Sequence, residues 1–184
     1  NRIEDCTVSG QRGYTSAIGI YGSAGAPTTG ALRRNRIIGD DGKETFGLNF
    51  QWSKNLIIEA NEVFNCGRGL SNDTGENFGL AIRRNLFADC GAAVYAVTSH
   101  GVEFAENRIK MFATDGLAGL VISALAGVTA PHGYWRILRN VFANSGWKGN
   151  YGIHTQWHTL PTPKGLIITD NLVDVTLSNK FEKT

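Results

Sequence analysis

Apolar residues alternate with other residues along short segments that recur through the chain. The segment 56–67 reads LIIEANEVFNCG and the segment 80–91 reads LAIRRNLFADCG, which places Asn61 and Asn85 24 residues apart. Both segments follow the pattern apolar-x-apolar-x-x-Asn-x-apolar, and both end in Cys-Gly. An alternation of period two predicts a β-strand with one buried face before each Asn. The chain is therefore interpreted as a series of repeated structural units.

The same Asn position returns along the whole chain, at spacings from 22 to 34 residues. The members of this asparagine series are Asn1, Asn35, Asn61, Asn85, Asn107, Asn140 and Asn171. We predict a core unit of about two dozen residues that carries insertions of variable length, which is typical of a solenoid. A second strand is predicted after each Asn, from alternating pairs such as Ile18/Ile20 and Leu48/Phe50. Because no segment keeps a helical period with caps at both ends, helix content should be low.

Two solenoid architectures share this Asn pattern. A leucine-rich repeat also places Asn after alternating Leu, but it expects a further Leu upstream, at positions that here hold Ser53, Asn77, His132 and Pro163. We therefore predict a parallel β-helix, an all-β fold in which each coil adds one strand to each of its parallel sheets. The asparagines would stack at a tight bend, where their amides can bond open backbone groups. Residues 1–184 would form a single domain of about six to seven coils.

Charged residues at equivalent positions alternate in sign from coil to coil. Neighbouring strands lie ~4.8 Å apart, so like charges should not stack on one another. The aligned columns are Arg33, Glu59 and Arg83; Arg84, Glu106, Arg139 and Asp170; and Glu103 with Arg136. We predict that the acidic residues of these columns are ion-pair partners between coils and not catalytic groups.

The repeats 61–67 and 85–91, each followed by a strand that begins near Gly or Ala, resemble the right-handed β-helix repeats of the pectin-lyase-like superfamily. The resemblance covers nearly the whole chain. It implies a carbohydrate-active protein that acts on a polysaccharide by glycosidic bond hydrolysis or β-elimination. The alternative is a noncatalytic glycan-binding module or structural shaft, as in a tailspike or adhesin. The superfamily also contains epimerases and esterases, so the fold does not select one activity.

Charge and hydropathy limit the range of partners. The 18 Lys and Arg residues nearly balance the 16 Asp and Glu residues, which argues against nucleic acid as a partner. The longest apolar run, 117–130, is too short and too rich in Gly to span a bilayer. The chain opens at Asn1 inside a repeat, so we expect a piece of a longer extracellular, cell-surface or virion-surface protein. A flanking domain or an oligomer partner would then cap the coil ends.

The three cysteines are too few for a disulfide framework. Cys6, Cys66 and Cys90 each lie five residues after an asparagine of the series. We therefore predict that they share one position in the coil and are buried free thiols. A Cys66–Cys90 bridge between neighbouring coils is the alternative.

Outward-facing residues of the second strand form the predicted ligand surface. Polar and aromatic side chains on a rigid sheet suit sugars, which offer hydroxyl groups and apolar ring faces. A solvated sheet face without a ligand is the alternative. The aligned outward columns are Gly19, Asn49, Ser71, Tyr95, Val121 and His154, and then Tyr21, Gln51, Asp73, Val97, Ser123 and Gln156. The residues predicted to bind polysaccharide are Asn49, Gln51, Trp52, His154, Gln156 and Trp157.

The predicted catalytic residues are Asp73, Glu76 and Tyr95. Glycoside hydrolysis needs two carboxyl groups about 5–9.5 Å apart. Asp73 and Glu76 form the favoured pair, because Asp73 falls on the outward face near Tyr95. Asp40 and Asp41 form a competing pair.

A lyase would need different groups. It requires a base that removes a proton beside a uronate carboxyl, and a cation that neutralises that carboxyl. The candidate bases are Tyr95, His100 and His154, and the candidate cations are Arg68 and Lys54. No metal or cofactor is predicted, except that Ca²⁺ would be expected for a lyase. The acidic cluster Asp40, Asp41 and Glu44 is the candidate for such a site.

Overall fold

The computed structural model describes residues 2–11, 15–40, 45–72, 75–111, 118–123, 133–144, 151–157, 165–173 and 178–183. All regular structure in these ranges is β-strand. Within them, no helix is long and apolar enough to cross a membrane. The prediction of an all-β chain is therefore confirmed for the described residues.

Three parallel sheets make up the fold, and the chain adds one strand to each sheet in every coil. Sheet A contains Arg2–Glu4, Thr28–Arg33, Ser53–Glu59, Ala81–Arg83, Glu103–Ala105, Arg136–Leu138 and Ile167–Thr169. Sheet B contains Thr7–Gln11, Arg36–Gly39, Glu62–Phe64, Leu86–Ala88, Arg108–Met111, Val141–Asn144 and Leu172–Val173. Sheet C contains Ser16–Tyr21, Phe46–Gln51, Arg68–Asn72, Ala92–Val97, Ala118–Ser123, Tyr151–Trp157 and Ser178–Lys183. This arrangement is the predicted parallel β-helix.

Two short strands, Asn77–Phe78 and Ser99–His100, pair where the chain passes from sheet C to sheet A. Sheet B was not predicted as a separate sheet. Its strands follow the ladder positions directly and are as short as the two residues Leu172–Val173, so their alternation is too brief to distinguish from the bend.

The inward residues of all three sheets form one continuous core. Ile58 and Ile82 of sheet A, Phe87 of sheet B, and Leu48 and Leu70 of sheet C are all fully buried. Equivalent residues are paired in register from coil to coil, as in the pairs Leu48 with Leu70 and Ile82 with Ile58. Burial of each such side chain contributes about 1.5–3 kcal/mol, so the apolar columns provide most of the force that holds the coils together.

The asparagines form a hydrogen-bonded ladder between sheets A and B. The Asn61 amide oxygen accepts hydrogen bonds from the backbone N–H and the side-chain amide of Asn35, both at 3.0 Å. The Asn61 amide nitrogen donates to Leu32 O at 3.0 Å and to the amide oxygen of Asn85 at 2.9 Å. The same pattern continues through Asn107 and on to Asn171. Asparagine suits this position because its amide both donates and accepts.

The first coil differs from the prediction. Arg2–Glu4 pairs with residues 31–33, which precede Asn35, and the Cys6 backbone N–H donates to the Asn35 amide oxygen at 3.1 Å. Cys6 therefore occupies the ladder position of this coil, and Asn1, which was assigned to the ladder, lies outside the described residues. The segment Arg2-Ile3 resembles Arg36-Ile37 of sheet B in sequence, but its backbone pairs in sheet A.

The cysteines do not share one position. Cys6 is exposed, whereas Cys66 and Cys90 are buried, and all three are free thiols. The predicted shared buried position therefore holds for Cys66 and Cys90 and is wrong for Cys6. A hydrogen bond with the Cys66 thiol, together with burial, raises the pKa of Cys90 well above its ordinary value.

We expect a thiol reagent to modify Cys6 in the folded protein and to leave Cys66 and Cys90 intact until the coil unfolds. The two buried thiols are shielded from the reagent by the core around them, and the raised pKa of Cys90 also disfavours its reactive thiolate. Mass spectrometry after a short exposure to iodoacetamide tests this expectation, with Cys6→Ser as the control that removes the rapid reaction. Equal rates at all three positions would show that the pair is not buried.

The predicted charge columns are confirmed by ion pairs between neighbouring coils. Arg33 lies 3.1 Å from Glu59, and Arg136 lies 3.6 Å from Glu103. Arg139 lies 2.8 Å from Glu106, and its hydrogen bond lowers the pKa of that carboxyl group. Because these contacts lie at the surface, their main consequence is to favour the correct register of the coils.

Candidate functional site

The outer face of sheet C has the predicted register but is not the predicted open surface. Asn49, Ser71, Tyr95 and His154 belong to one column, through the pairs Asn49 with Ser71, Ser71 with Tyr95, and Val121 with both Tyr95 and His154. Asn49 and His154 are each only 6% exposed, and Ser71 and Val121 are fully buried. The prediction of a solvent-facing surface is therefore wrong at these four positions. The period-two alternation of a strand predicts to which side of the sheet a side chain points, but it does not predict which residues pack against that side.

Tyr95 lies against a cation in this face. The Arg68 guanidinium carbon is 4.1 Å from the centre of the Tyr95 ring and 5.5 Å from the centre of the Phe46 ring. Arg68 also donates a hydrogen bond to the Ser71 hydroxyl at 3.4 Å. The guanidinium therefore covers one face of the tyrosine ring. This contact joins two of the residues predicted for a lyase, Arg68 and Tyr95.

Several predicted site residues fall outside what the structure describes. Asp73 lies outside the described residues, as do Asp41 and Glu44 of the competing acidic cluster. The side chains of Gln156 and Trp157 also lie outside the described part of the chain. The pairing of Asp73 with Glu76 remains a prediction.

A pocket of about 400 Å³ lies where the chain passes from sheet C to sheet A. Three successive passages line it, and we call it the corner pocket. Its lining residues are Ala24, Pro27, Trp52, Lys54, Glu76 and Phe78. It combines two aromatic rings with one cation and one carboxylate, which is a composition typical of ligand sites.

Trp52 is held in place by backbone contacts from both neighbouring passages. Its backbone has a φ of 51°, and its carbonyl oxygen accepts a hydrogen bond from Thr28 N–H at 2.8 Å. Gly75, with a φ of 84°, lies against the indole, where an added Cβ would come within 2.9 Å of the ring. The left-handed backbone and the lack of space together require glycine at this position. The indole is therefore positioned by the fold.

A second column contributes two residues to the corner pocket, Lys54 and Phe78, and continues to His100 in the next coil. Lys54, Phe78 and His100 are paired in register across three coils. The Phe78 and His100 rings are stacked, with centroids 4.8 Å apart and an angle of 8° between their planes. Phe78 is 41% exposed, so part of its ring is available to a ligand.

Burial lowers the pKa of His100, and the nearby Glu76 carboxylate partly opposes this effect. Because the ordinary pKa of histidine is about 6.5, the lowered value keeps the His100 ring largely neutral at pH 7. Lys54 and Glu76 line the pocket, and the largely neutral imidazole of His100 stacks on the Phe78 ring next to it. Among the described residues, no group of three or more His, Cys, Asp and Glu side chains is placed to hold a metal ion.

Sequence reasoning found part of this pocket. Trp52 and Glu76 were predicted site residues, and Lys54 and His100 were named as candidates for a lyase. Phe78 was missed. The sequence does contain a signal for Phe78. Lys54, Phe78 and His100 each lie seven residues before a ladder asparagine, which predicts that they share one column.

A family model described as a right handed beta helix region matches residues 1–123. No curated protein and no solved structure matches the chain.

Proposed function

The chain belongs to the family of right-handed β-helix regions, and on that premise we propose that it binds a polysaccharide in the corner pocket. The family fold is compatible with either a carbohydrate-active or a structural β-helix. The observation that carries the proposal is the pair of rings, Trp52 and Phe78, that line one pocket together with Lys54 and Glu76. Sugars stack their apolar faces on aromatic rings and exchange hydrogen bonds with charged groups at the rim.

The size and direction of the pocket support a polymeric ligand. Its volume of about 400 Å³ falls in the range of small-molecule sites, roughly 300–1,000 Å³. The column of Lys54, Phe78 and His100 presents a new side chain at each coil, roughly every 4.8 Å. A glycan chain that runs along the coil axis would therefore meet several side chains in sequence.

For cleavage of the bound polysaccharide, we assign Glu76 as the carboxyl group that acts in the pocket. Asp73, three positions earlier in the sequence, remains the proposed second carboxyl group for hydrolysis. For β-elimination, Lys54 would neutralise a uronate carboxylate, and the largely neutral His100 would serve as the candidate base. Because polysaccharides of this kind lie outside cells or on their surfaces, we propose an extracellular, cell-surface or virion-surface location.

We expect Trp52→Ala to weaken polysaccharide binding by roughly tenfold or more, because loss of a stacked indole costs about 1.5–3 kcal/mol. Binding is measured by isothermal titration calorimetry with acidic and neutral polysaccharides. Tyr134→Ala is the matched control, since Tyr134 is 68% exposed and does not line the pocket. Equal binding by the Trp52 variant and the parent protein, or no binding to any polysaccharide, would reject the proposal.

The same polysaccharides distinguish a catalyst from a binding module. Elimination yields an unsaturated sugar that absorbs ultraviolet light, whereas hydrolysis yields only a new reducing end. Loss of either product in Glu76→Gln would support the assigned role of the carboxyl group. Binding without any product would favour the noncatalytic glycan-binding or structural shaft.

A further inference from the structure

A buried asparagine lies directly behind the corner pocket. Asn77 is fully buried, and its neighbours in the sequence, Glu76 and Phe78, both line the pocket. Asn77 is stacked between Ser53 of the preceding coil and Ser99 of the following coil. Each of these three residues is buried and lies eight positions before a ladder asparagine, so they form one inner column at the corner between sheets C and A. Asn77 is the member of this column that carries an amide.

The Asn77 amide connects two passages of the chain that form the pocket. Its oxygen accepts a hydrogen bond at 2.9 Å from the Ser53 N–H, which is the backbone amide directly after Trp52. Its nitrogen donates to Gly75 O at 3.4 Å. Gly75 packs against the Trp52 indole, where an added Cβ would lie 2.9 Å from the ring. One amide therefore holds both the backbone that carries the indole and the backbone that packs against it.

The direction of this amide differs from that of the ladder asparagines. In the ladder, the side-chain nitrogen donates to the preceding coil, as Asn85 does to Ile58 O at 3.0 Å. The Asn77 nitrogen donates within its own coil, to the residue two positions earlier. The amide is therefore turned toward the passage that lines the pocket, and its hydrogen bonds act on the local shape of the corner.

We propose that Asn77 is a positioning residue, which fixes the Trp52 indole relative to Glu76 and Phe78 in the corner pocket. Without the amide, the buried Ser53 N–H loses its partner. Because an unpaired buried donor is costly, the backbone shifts toward another acceptor. Such a shift moves Trp52, which directly precedes Ser53. The consequence for ligand binding rests on the proposed saccharide site, whereas the effect on the indole does not.

Fluorine NMR of the protein labelled with 5-fluorotryptophan tests the positioning without a ligand. The chain contains four tryptophans, and the signal of Trp52 is the one that is missing from Trp52→Phe. We expect this signal to shift or broaden in Asn77→Ala. Asn140→Ala is the matched control, because Asn140 is also fully buried but belongs to the ladder, and it should leave the Trp52 signal unchanged. A Trp52 signal that is identical in Asn77→Ala and the parent protein would overturn the proposal.

A second variant, Asn77→Asp, has nearly the shape of the parent side chain. Its protonated carboxyl group has one O–H donor and one acceptor and so replaces the amide, whereas the ionised form cannot donate to Gly75 O. Burial raises the pKa of such a carboxyl group. We therefore expect the Trp52 signal of this variant to move toward its parent position as the pH is lowered. A signal displaced equally at all pH values would contradict the assigned role of the amide.

Calorimetry with polysaccharide then measures the consequence for binding. Asn77→Ala should bind about fivefold more weakly than the parent protein, and Asn140→Ala should bind equally well. Equal weakening by both variants would reflect a general loss of stability and would also overturn the proposal. Absence of binding by the parent protein would reject the saccharide site alone, since the fluorine signal still reports the position of the indole.

Discussion

Replacement of Asn85 by alanine should lower the free energy of unfolding by about 2–6 kcal/mol. The Asn85 amide oxygen accepts hydrogen bonds from the backbone N–H and the amide of Asn61, both at 2.9 Å. Its amide nitrogen donates to Ile58 O and to the amide oxygen of Asn107, both at 3.0 Å. The substitution removes the partner of the Asn61 backbone N–H and of Ile58 O, whereas the Asn107 amide oxygen keeps the hydrogen bond from the backbone N–H of residue 85. Each unsatisfied group costs about 1–3 kcal/mol.

Urea denaturation, monitored by circular dichroism, measures this loss of stability. A second asparagine of the ladder, Asn171, provides the control. Asn171 has the same contacts to the coil below but is only half-buried, so water can replace its amide. Asn171→Ala should therefore cost less than about 1.5 kcal/mol. If the two variants lose equal stability, burial does not determine the strength of the ladder.

The ladder was predictable because its signal lies in the local sequence. Each asparagine follows a short apolar alternation, and the repeat brings many copies of the same segment into comparison. The charge columns gave an independent check on that register, which the ion pair between Glu103 and Arg136 confirms. Both features depend on the alternation of side chains within a strand and on the distance between neighbouring strands, which stay the same although the loops vary in length.

The first coil shows where this reasoning fails. The segment Asn1-Arg2-Ile3 matches Asn35-Arg36-Ile37 in sequence, yet Arg2–Glu4 pairs in sheet A. Asp5 is the residue that indicates the true register. It belongs to the column directly before the ladder, where its carboxylate lies 2.7 Å from the Arg34 guanidinium. The short sequence match between residues 1–3 and 35–37 is therefore misleading, because the strand pairing and the ion pair of Asp5 both give a different register.

The ligand site was predicted only in part, for a different reason. Asn49 and His154 point away from the core as expected, but they are buried by packing that the period of a strand does not report. Trp52 and Glu76 are 24 residues apart, which is one full coil, and the stacking of the coils brings them together. Only the stacking of successive passages makes this pocket, so a search for pairs within one segment could not find it.

Gly47→Ala should destabilise the fold by about 3 kcal/mol, since added atoms in a packed core force its surroundings apart. A Cβ at Gly47 would lie 2.5 Å from Gly69 O and 2.5 Å from the Val63 side chain. The carbonyl group belongs to the next strand of sheet C, and the fully buried Val63 belongs to the core. Neither neighbour can move without opening the register of the coil, so the strain cannot be relieved locally.

Gly25→Ala provides the matched control, because an added Cβ there has no atom within 4 Å. This variant should stay within about 0.5 kcal/mol of the parent protein. Thermal and urea unfolding of the two variants compare the same chemical change at a packed and an open position. A loss below about 1 kcal/mol for Gly47→Ala would mean that sheets B and C can separate slightly at this level. The packing between neighbouring coils, which also positions Trp52 in the corner pocket, would then be less rigid than the short distances at Gly47 indicate.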